Sequence, residues 1–252
     1  MTCRSGVSVL ELAIVVVISG LLIGTIVSAR GMLHASECQA VIGEHTRYAA
    51  AITTFRDKYF ALPGDMPEAY RFWGPSCGTN TTDASTGCNG DGDNFIEPDQ
   101  HGEQVKVWEH LARGGIIDGK YDGQGTIDPT GQQVTPSPTN SPASKLRGGY
   151  WEFSDYFRAA SFPEGQAQGL YLSLGALGTR ANVDYALPTL SRQDAQHIDA
   201  KTDDGKADSG SLRGNSAAGG CFDASGHGAY GADASLGGDP DAKDCTLTFV
   251  AP

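Results

Sequence analysis

Residues 7–29 form a run of 23 residues in which Glu11 is the only charge. As a helix rising about 1.5 Å per residue, the run would reach roughly 34 Å, enough to cross the apolar core of a bilayer. Arg4 precedes it, which by the positive-inside tendency puts the short N-terminus on the cytoplasmic side. A cleavable signal peptide is one way to use such a segment. Val27-Ser28-Ala29 would then be the small-residue cleavage site and Arg30 the first mature residue. A plain anchor with Glu11 snorkelling to one interface is another. The apolar run is longer than a signal peptide needs, and a charge at its start gains nothing there.

The chain has no proline before Pro63. Beyond Ala29, Val41, His45, Tyr48, Ile52, Phe55 and Tyr59 recur at spacings of three and four, which marks one face of a helix. Ala61-Leu-Pro-Gly-Asp65 then breaks it. Set against a break into two helices near Gly31, the pattern predicts one helix from about Val7 to Phe60. Its first half (7–29) is apolar all round, and its second half (30–62) carries a single apolar stripe.

"GVSVLEL", Gly6 to Leu12, resembles the N-terminal motif of type IV prepilins and type II secretion pseudopilins. "YFALPGDMPEAYRFWG" and "IDAKTDDGKADSG" also resemble segments of long prepilin-type chains related to the major pseudopilin. The resemblance covers residues 1–73 well and later residues in patches. It implies a leader, 1–6, removed after Gly6 by a prepilin peptidase, with Val7 as the new, methylated N-terminus. Phenylalanine or methionine is usual at that position. It also implies that Glu11, the fifth mature residue, is an assembly residue. A carboxylate in lipid is costly unless it meets a positive charge. The α-amine of Val7 in a neighbouring subunit would supply one, so the pair would set the stagger between copies more than it would add net stability. Expected partners are other pilin-like subunits in a homo- or hetero-oligomeric filament, and an inner-membrane assembly platform. The expected location is the bacterial inner membrane before assembly and a periplasmic or extracellular filament after it.

Residues 63–252 read as a loop-rich head with 34 glycines and 12 prolines in the whole chain. Glu103 to Arg113, with Val107, Trp108 and Leu111 at helical spacing, predicts a helix ended by Gly114-Gly115. Pro67 to Trp73 predicts a shorter one. Residues 149–153, 170–174 and 246–250 alternate like strands. Ser191 with Asp194 three residues on marks a helix start, running to about Lys201. Residues 122–148, with "TPSPTNSPAS", predict an extended exposed loop. The expected class is α+β: a pilin-like long helix packed on a small antiparallel sheet with long loops.

The formal charge is −12, from 30 acids against 18 bases, which disfavours nucleic acid as a partner. Of six cysteines none lies in a CxxC pair. Cys77 and Cys88 bracket one loop, and Cys221 and Cys245 bracket another. That usage favours disulfides in an oxidising compartment, although spacing alone leaves connectivity open. Cys38 reads as a small buried apolar residue.

Asn89, Asp91, Asp93 and Glu97 place oxygens at alternate positions of a glycine-rich loop, the logic of a calcium loop. Asn94 stands where an EF-hand has its turn glycine, and Gln100 where it has glutamate. A polar turn closed by a Cys77–Cys88 bridge explains the same residues without an ion. Asp199 to Asp208, and Asp239, Asp241 and Asp244, are further acidic turns. The resemblance adds a structural calcium in a C-terminal acidic loop. There is no GxSxG, P-loop, HExxH or dinucleotide fingerprint, and the six histidines are scattered, so no enzyme is expected. The competing classes are a secreted or membrane-anchored hydrolase with an acidic cleft, and an adhesive protein binding a surface or glycan through Trp73 and Trp151.

Overall fold

The computed structural model describes residues 8–77, 87–96, 102–124, 126–127, 133–134, 138–154, 170–176, 188–215, 221, 230 and 242–250. They form an α+β structure of helices laid on a four-stranded antiparallel sheet. Helix α1 runs Val9–Tyr59, capped by Ser8, whose hydroxyl accepts from the Leu10 N–H at 3.3 Å. It stops where Phe60 adopts a left-handed conformation (φ 55°) and donates its N–H to the Arg56 carbonyl. Short α2 (Ala69–Trp73) leads through a single 3-10 turn to Cys77. Helix α3 is Glu103–Arg113, and α4 is Arg192–Thr202 with Ser191 as its N-cap.

Two-residue strands β1 (Thr126–Ile127) and β2 (Gln133–Val134) pair with each other. The main sheet contains β3 (Gly149–Ser154), β4 (Tyr171–Ala176), β5 (Leu212–Asn215) and β6 (Thr246–Val250), in the order β3-β4-β6-β5. Trp151 lies opposite Leu174, Leu172 opposite Phe249, and Leu212 opposite Phe249 on its other side. Leu172, Leu174 and Leu247 are fully buried, and the hydroxyls of Ser173 and Thr248 meet across the ladder at 3.0 Å.

The core forms where one stripe of α1 meets this sheet and α3. Cys38, Val41, Tyr48, Ile52 and Phe55 are buried along the stripe. Tyr48 stands edge-on to Trp108 (4.9 Å) and Trp151 (5.8 Å), and His45 stacks on Phe249 at 4.1 Å. Glu44 lies on the same face and is buried. Its carboxylate accepts from Trp151 Nε1 (2.9 Å), Ser144 Oγ (2.6 Å) and the Lys145 N–H (2.9 Å), which pins the chain before β3 onto the helix.

Two expectations need correction here. The stretch 122–148 is not exposed throughout. Asn140, Ser141 and Leu146 are buried, because the Glu44 carboxylate draws this segment inward. Trp151 is wholly buried against Tyr48 and Phe249, so it offers no surface to a glycan. Helix α3 has no solvent face over its first nine residues: Glu103, Lys106, Glu109 and His110 are as buried as Val107 and Trp108. The loops at 63–66 and 87–92 supply partners for Glu103, Lys106 and His110, and Glu109 pairs with Arg113 at 2.7 Å.

Candidate functional site

Of the proposed processing and assembly residues, Gly6 and Val7 lie outside the described residues. Glu11 is in the first turn of α1, exposed and without a partner among the described residues. Residues 8–25 are all exposed, among them Val9, Leu10, Leu21, Leu22 and Ile23, and the exposure continues at Met32 and Leu33. Nothing among the described residues of the head covers this part of the helix. Among the described residues no helix is long and apolar enough to cross a membrane. The described apolar stretch, Val9–Thr25, spans roughly 26 Å, slightly less than a typical ~30 Å hydrocarbon core.

Both bracketing cysteine pairs are disulfides. Cys77 bonds Cys88 with Cα atoms 5.2 Å apart, and Cys221 bonds Cys245 with Cα atoms 4.9 Å apart. Cys88 brings the acidic loop 89–96 against the 63–66 turn. His110 locks the two together. Its Nδ1 accepts from the Gly64 N–H at 2.8 Å, so Nε2 carries the proton and donates to the Cys88 carbonyl at 2.7 Å. Burial drives the imidazole pKa down to about 3, so this ring stays neutral.

Within the acidic loop, Asn89 and Asp93 turn their oxygens to backbone. Asn89 Oδ1 accepts from Tyr70 N–H (2.8 Å) and Asp93 Oδ1 from Phe95 N–H (2.8 Å). Asp91 Oδ1 accepts from Asp93 N–H at 3.1 Å. Glu97 lies outside the described residues. The carboxylates that converge are Asp91, Asp65 and Glu103, whose ligand atoms lie within 4.8 Å of one another. Asp65 accepts from the Gly92 N–H (2.6 Å) and Asn94 N–H (2.8 Å), and Glu103 from the Asp91 N–H (3.0 Å). Burial raises the Asp65 pKa to about 6 despite those hydrogen bonds. Asn94 takes the positive φ (71°) that an EF-hand gives to glycine. Gly90 is required for a different reason. A Cβ there would sit 2.3 Å from the Asp65 backbone.

Asp199, Asp203 and Asp204 form a second convergence after α4. Asp199 accepts from Tyr230 Oη (2.6 Å) and Gly205 N–H (3.0 Å), and burial raises its pKa. Asp203 receives the N–H groups of Ser211 and Leu212, so this turn fastens β5 to the helix. In the third acidic turn Asp244 pairs with Arg192 at 3.0 Å, while Asp239 and Asp241 lie outside the described residues.

A third convergence has different chemistry. His34 Nε2 lies 2.5 Å from Asp194 Oδ1, and Cys38 Sγ lies 3.9 Å from the same oxygen. Cys38 is thus buried, as a small apolar residue would be, but its thiol faces a carboxylate. Burial, then the Asp194 and Glu37 charges, push that thiol up to about 11. Burial works against the Asp194 carboxylate, yet hydrogen bonds from Ser191 and His34 hold it below its ordinary range. The sequence signal for this group was half present. His34 and Cys38 stand four apart on one helix face, whereas Asp194 is brought in by the fold. Asp65 and Glu103 had no sequence signal, since they flank the acidic loop from separate elements.

Comparison of the chain with known protein families, characterised proteins and solved structures gives no match.

Proposed function

We propose that this chain is a structural subunit of a filament of the type IV pilus or type II secretion pseudopilus kind, not an enzyme. Its leader (1–6) is removed after Gly6 by a prepilin peptidase. The mature chain waits in the bacterial inner membrane and joins other pilin-like subunits through the N-terminal part of α1 at an assembly platform. The filament is periplasmic or extracellular.

One observation carries this reading: α1 is continuous, yet residues 8–25 are all exposed among the described residues while residues 38–55 form the spine of the head. An exposed apolar surface of that extent needs a lipid or protein cover. The lone acid within it, Glu11, has no partner among the described residues and is available to one from another copy. The Gly6–Leu12 motif and the pair of disulfides are consistent with export by that route.

Calcium belongs to the same proposal as a structural ion of the acidic loops. When bound, it would fit the all-oxygen set of Asp65, Asp91 and Glu103, the donor type that hard cations take.

Intact-mass analysis of the chain from its native membrane tests the proposal. A mature N-terminus at Val7, with or without one methyl group, supports it. A start at Arg30 replaces it with an ordinary secreted protein. Glu11→Ala is expected to insert into the membrane normally and to fail in filament assembly; normal assembly would remove Glu11 from the mechanism.

A further inference from the structure

We infer that His34, Cys38 and Asp194 form a binding site for a divalent transition metal of the zinc class, fastening α1 to the start of α4. The inference is independent of the filament proposal, because it concerns the packed half of α1 and the head alone.

The donor set is the first reason. One imidazole nitrogen, one sulfur and one carboxylate oxygen converge with all ligand atoms within 4.8 Å. Zinc takes this mixture at about 2.0–2.3 Å per bond in a tetrahedron, which puts neighbouring ligand atoms roughly 3.3–3.7 Å apart. The Cys38–Asp194 separation of 3.9 Å is already close to that, and the His34–Asp194 separation of 2.5 Å is short of it. The half-exposed His34 side chain has room to swing by roughly 1 Å to open the space. Calcium does not suit this group, since it prefers six or more oxygens.

The surroundings are the second reason. Asp194 divides its oxygens. Oδ2 accepts from Ser191 Oγ at 2.6 Å and faces Lys243 Nζ at 3.9 Å, while Oδ1 is turned to α1. The Asp194 N–H is in turn held by Ser191 Oγ, so the helix cap fixes the direction of the ligand oxygen. On the far side of the imidazole, His34 Nδ1 lies 3.8 Å from Glu37 Oε2. A carboxylate behind a ligand histidine orients the ring and raises its basicity. An ordinary histidine–aspartate pair accounts for neither the buried sulfur aimed at the same oxygen nor the carboxylate at the opposite ring nitrogen.

Access is the third reason. A cavity of about 310 Å³ lies beside the group, lined by Leu33, His34, Glu37, Leu146, Arg147 and Lys243. It gives an ion an entry path, and the three protein ligands leave the fourth tetrahedral position to water.

The test uses the full chain in detergent, stripped of metal by a chelator with both disulfides intact and Cys38 reduced, and titrated with Co²⁺ and then Zn²⁺. One equivalent of Co²⁺ is expected to give a thiolate-to-cobalt charge-transfer band in the near ultraviolet. Stoichiometric Zn²⁺ should displace it and excess Ca²⁺ should not. Cys38→Ala should abolish the band. His34→Ala and Asp194→Asn should each weaken Zn²⁺ binding by roughly 10-fold or more, and Asp91→Asn should leave it unchanged. Should any of the variants fail to fold, Zn²⁺ protection of Cys38 from alkylation in the unaltered chain gives the same answer. Absence of the band, its survival in Cys38→Ala, or an alkylation rate indifferent to Zn²⁺ would each overturn the site.

Discussion

The two halves of α1 share one backbone and differ in everything else. Along Val41, Tyr48, Ile52 and Phe55 the helix is buried on one face, and Glu44 within that face is satisfied by three donors from the β3 side. From Val9 to Thr25 it is apolar on every face and buried on none. Helix propensity does not separate the halves. What separates them is the angular spread of apolar residues: a stripe needs one neighbour, whereas a full cylinder needs a surrounding medium or several copies.

The contrast predicts where mutations act. Phe55→Ala is expected to cost the head about 4 kcal/mol, since it empties a fully buried site between Tyr59, Trp73 and His110. Urea unfolding of the detergent-solubilised chain checks it, and a loss below about 1 kcal/mol would mean that the spine is dispensable. Glu44→Ala should cost about 3 kcal/mol, because Trp151 Nε1 and the Lys145 N–H are left without their acceptor. The same unfolding curves give the number.

Acid should weaken the packed half selectively. Burial holds His110 at about 3 and His45 at about 4, both below the ordinary 6.5. The unfolded chain therefore takes up protons below about pH 6.5 that the folded chain refuses, and stability falls as pH drops from there toward 4. Asp65 acts in the opposite sense. Its folded value near 6 exceeds its ordinary 3.8, so its contribution is lost as pH rises through 6 and offsets part of the histidine effect. The urea midpoint should be lower at pH 5 than at pH 7, with a smaller difference in His110→Gln. The smallest effect is expected at Leu21→Ala, within about 0.5 kcal/mol in the head. A larger loss there would show that the exposed half does pack on its own chain.

Local pattern carried much of the head. Strands β3, β4 and β6 lie where side-chain alternation pointed, and α4 begins at the Ser191 cap. Pattern failed where chemistry was non-local. Glu44 looks like any surface acid of a helix, because its partners are Ser144, Lys145 and Trp151, about a hundred residues away. The burial of the polar residues of α3 leaves no mark in the sequence, because the loops that hold them, at 63–66 and 87–92, have no periodicity of their own. Strand β5, "LRGN", is too short and too polar to alternate visibly. In the candidate sites the acids of one loop were legible, but convergence was not. Asp91 meets Asp65 and Glu103 rather than Asn89, whose Oδ1 is taken by the Tyr70 N–H, and Asp93, whose Oδ1 is taken by the Phe95 N–H.

Strand order has a consequence for how the head is made. β6 is the final strand along the chain, yet it sits between β4 and β5. Until residues 246–250 arrive, β4 shows a bare edge and β5 has no neighbour among the described strands, two open ladders that invite pairing with the wrong chain. A ribosome or translocation channel delivering this protein N-terminus first must therefore release the chain through residue 250 before the sheet can close. Any factor that shields a half-made head would act on that interval.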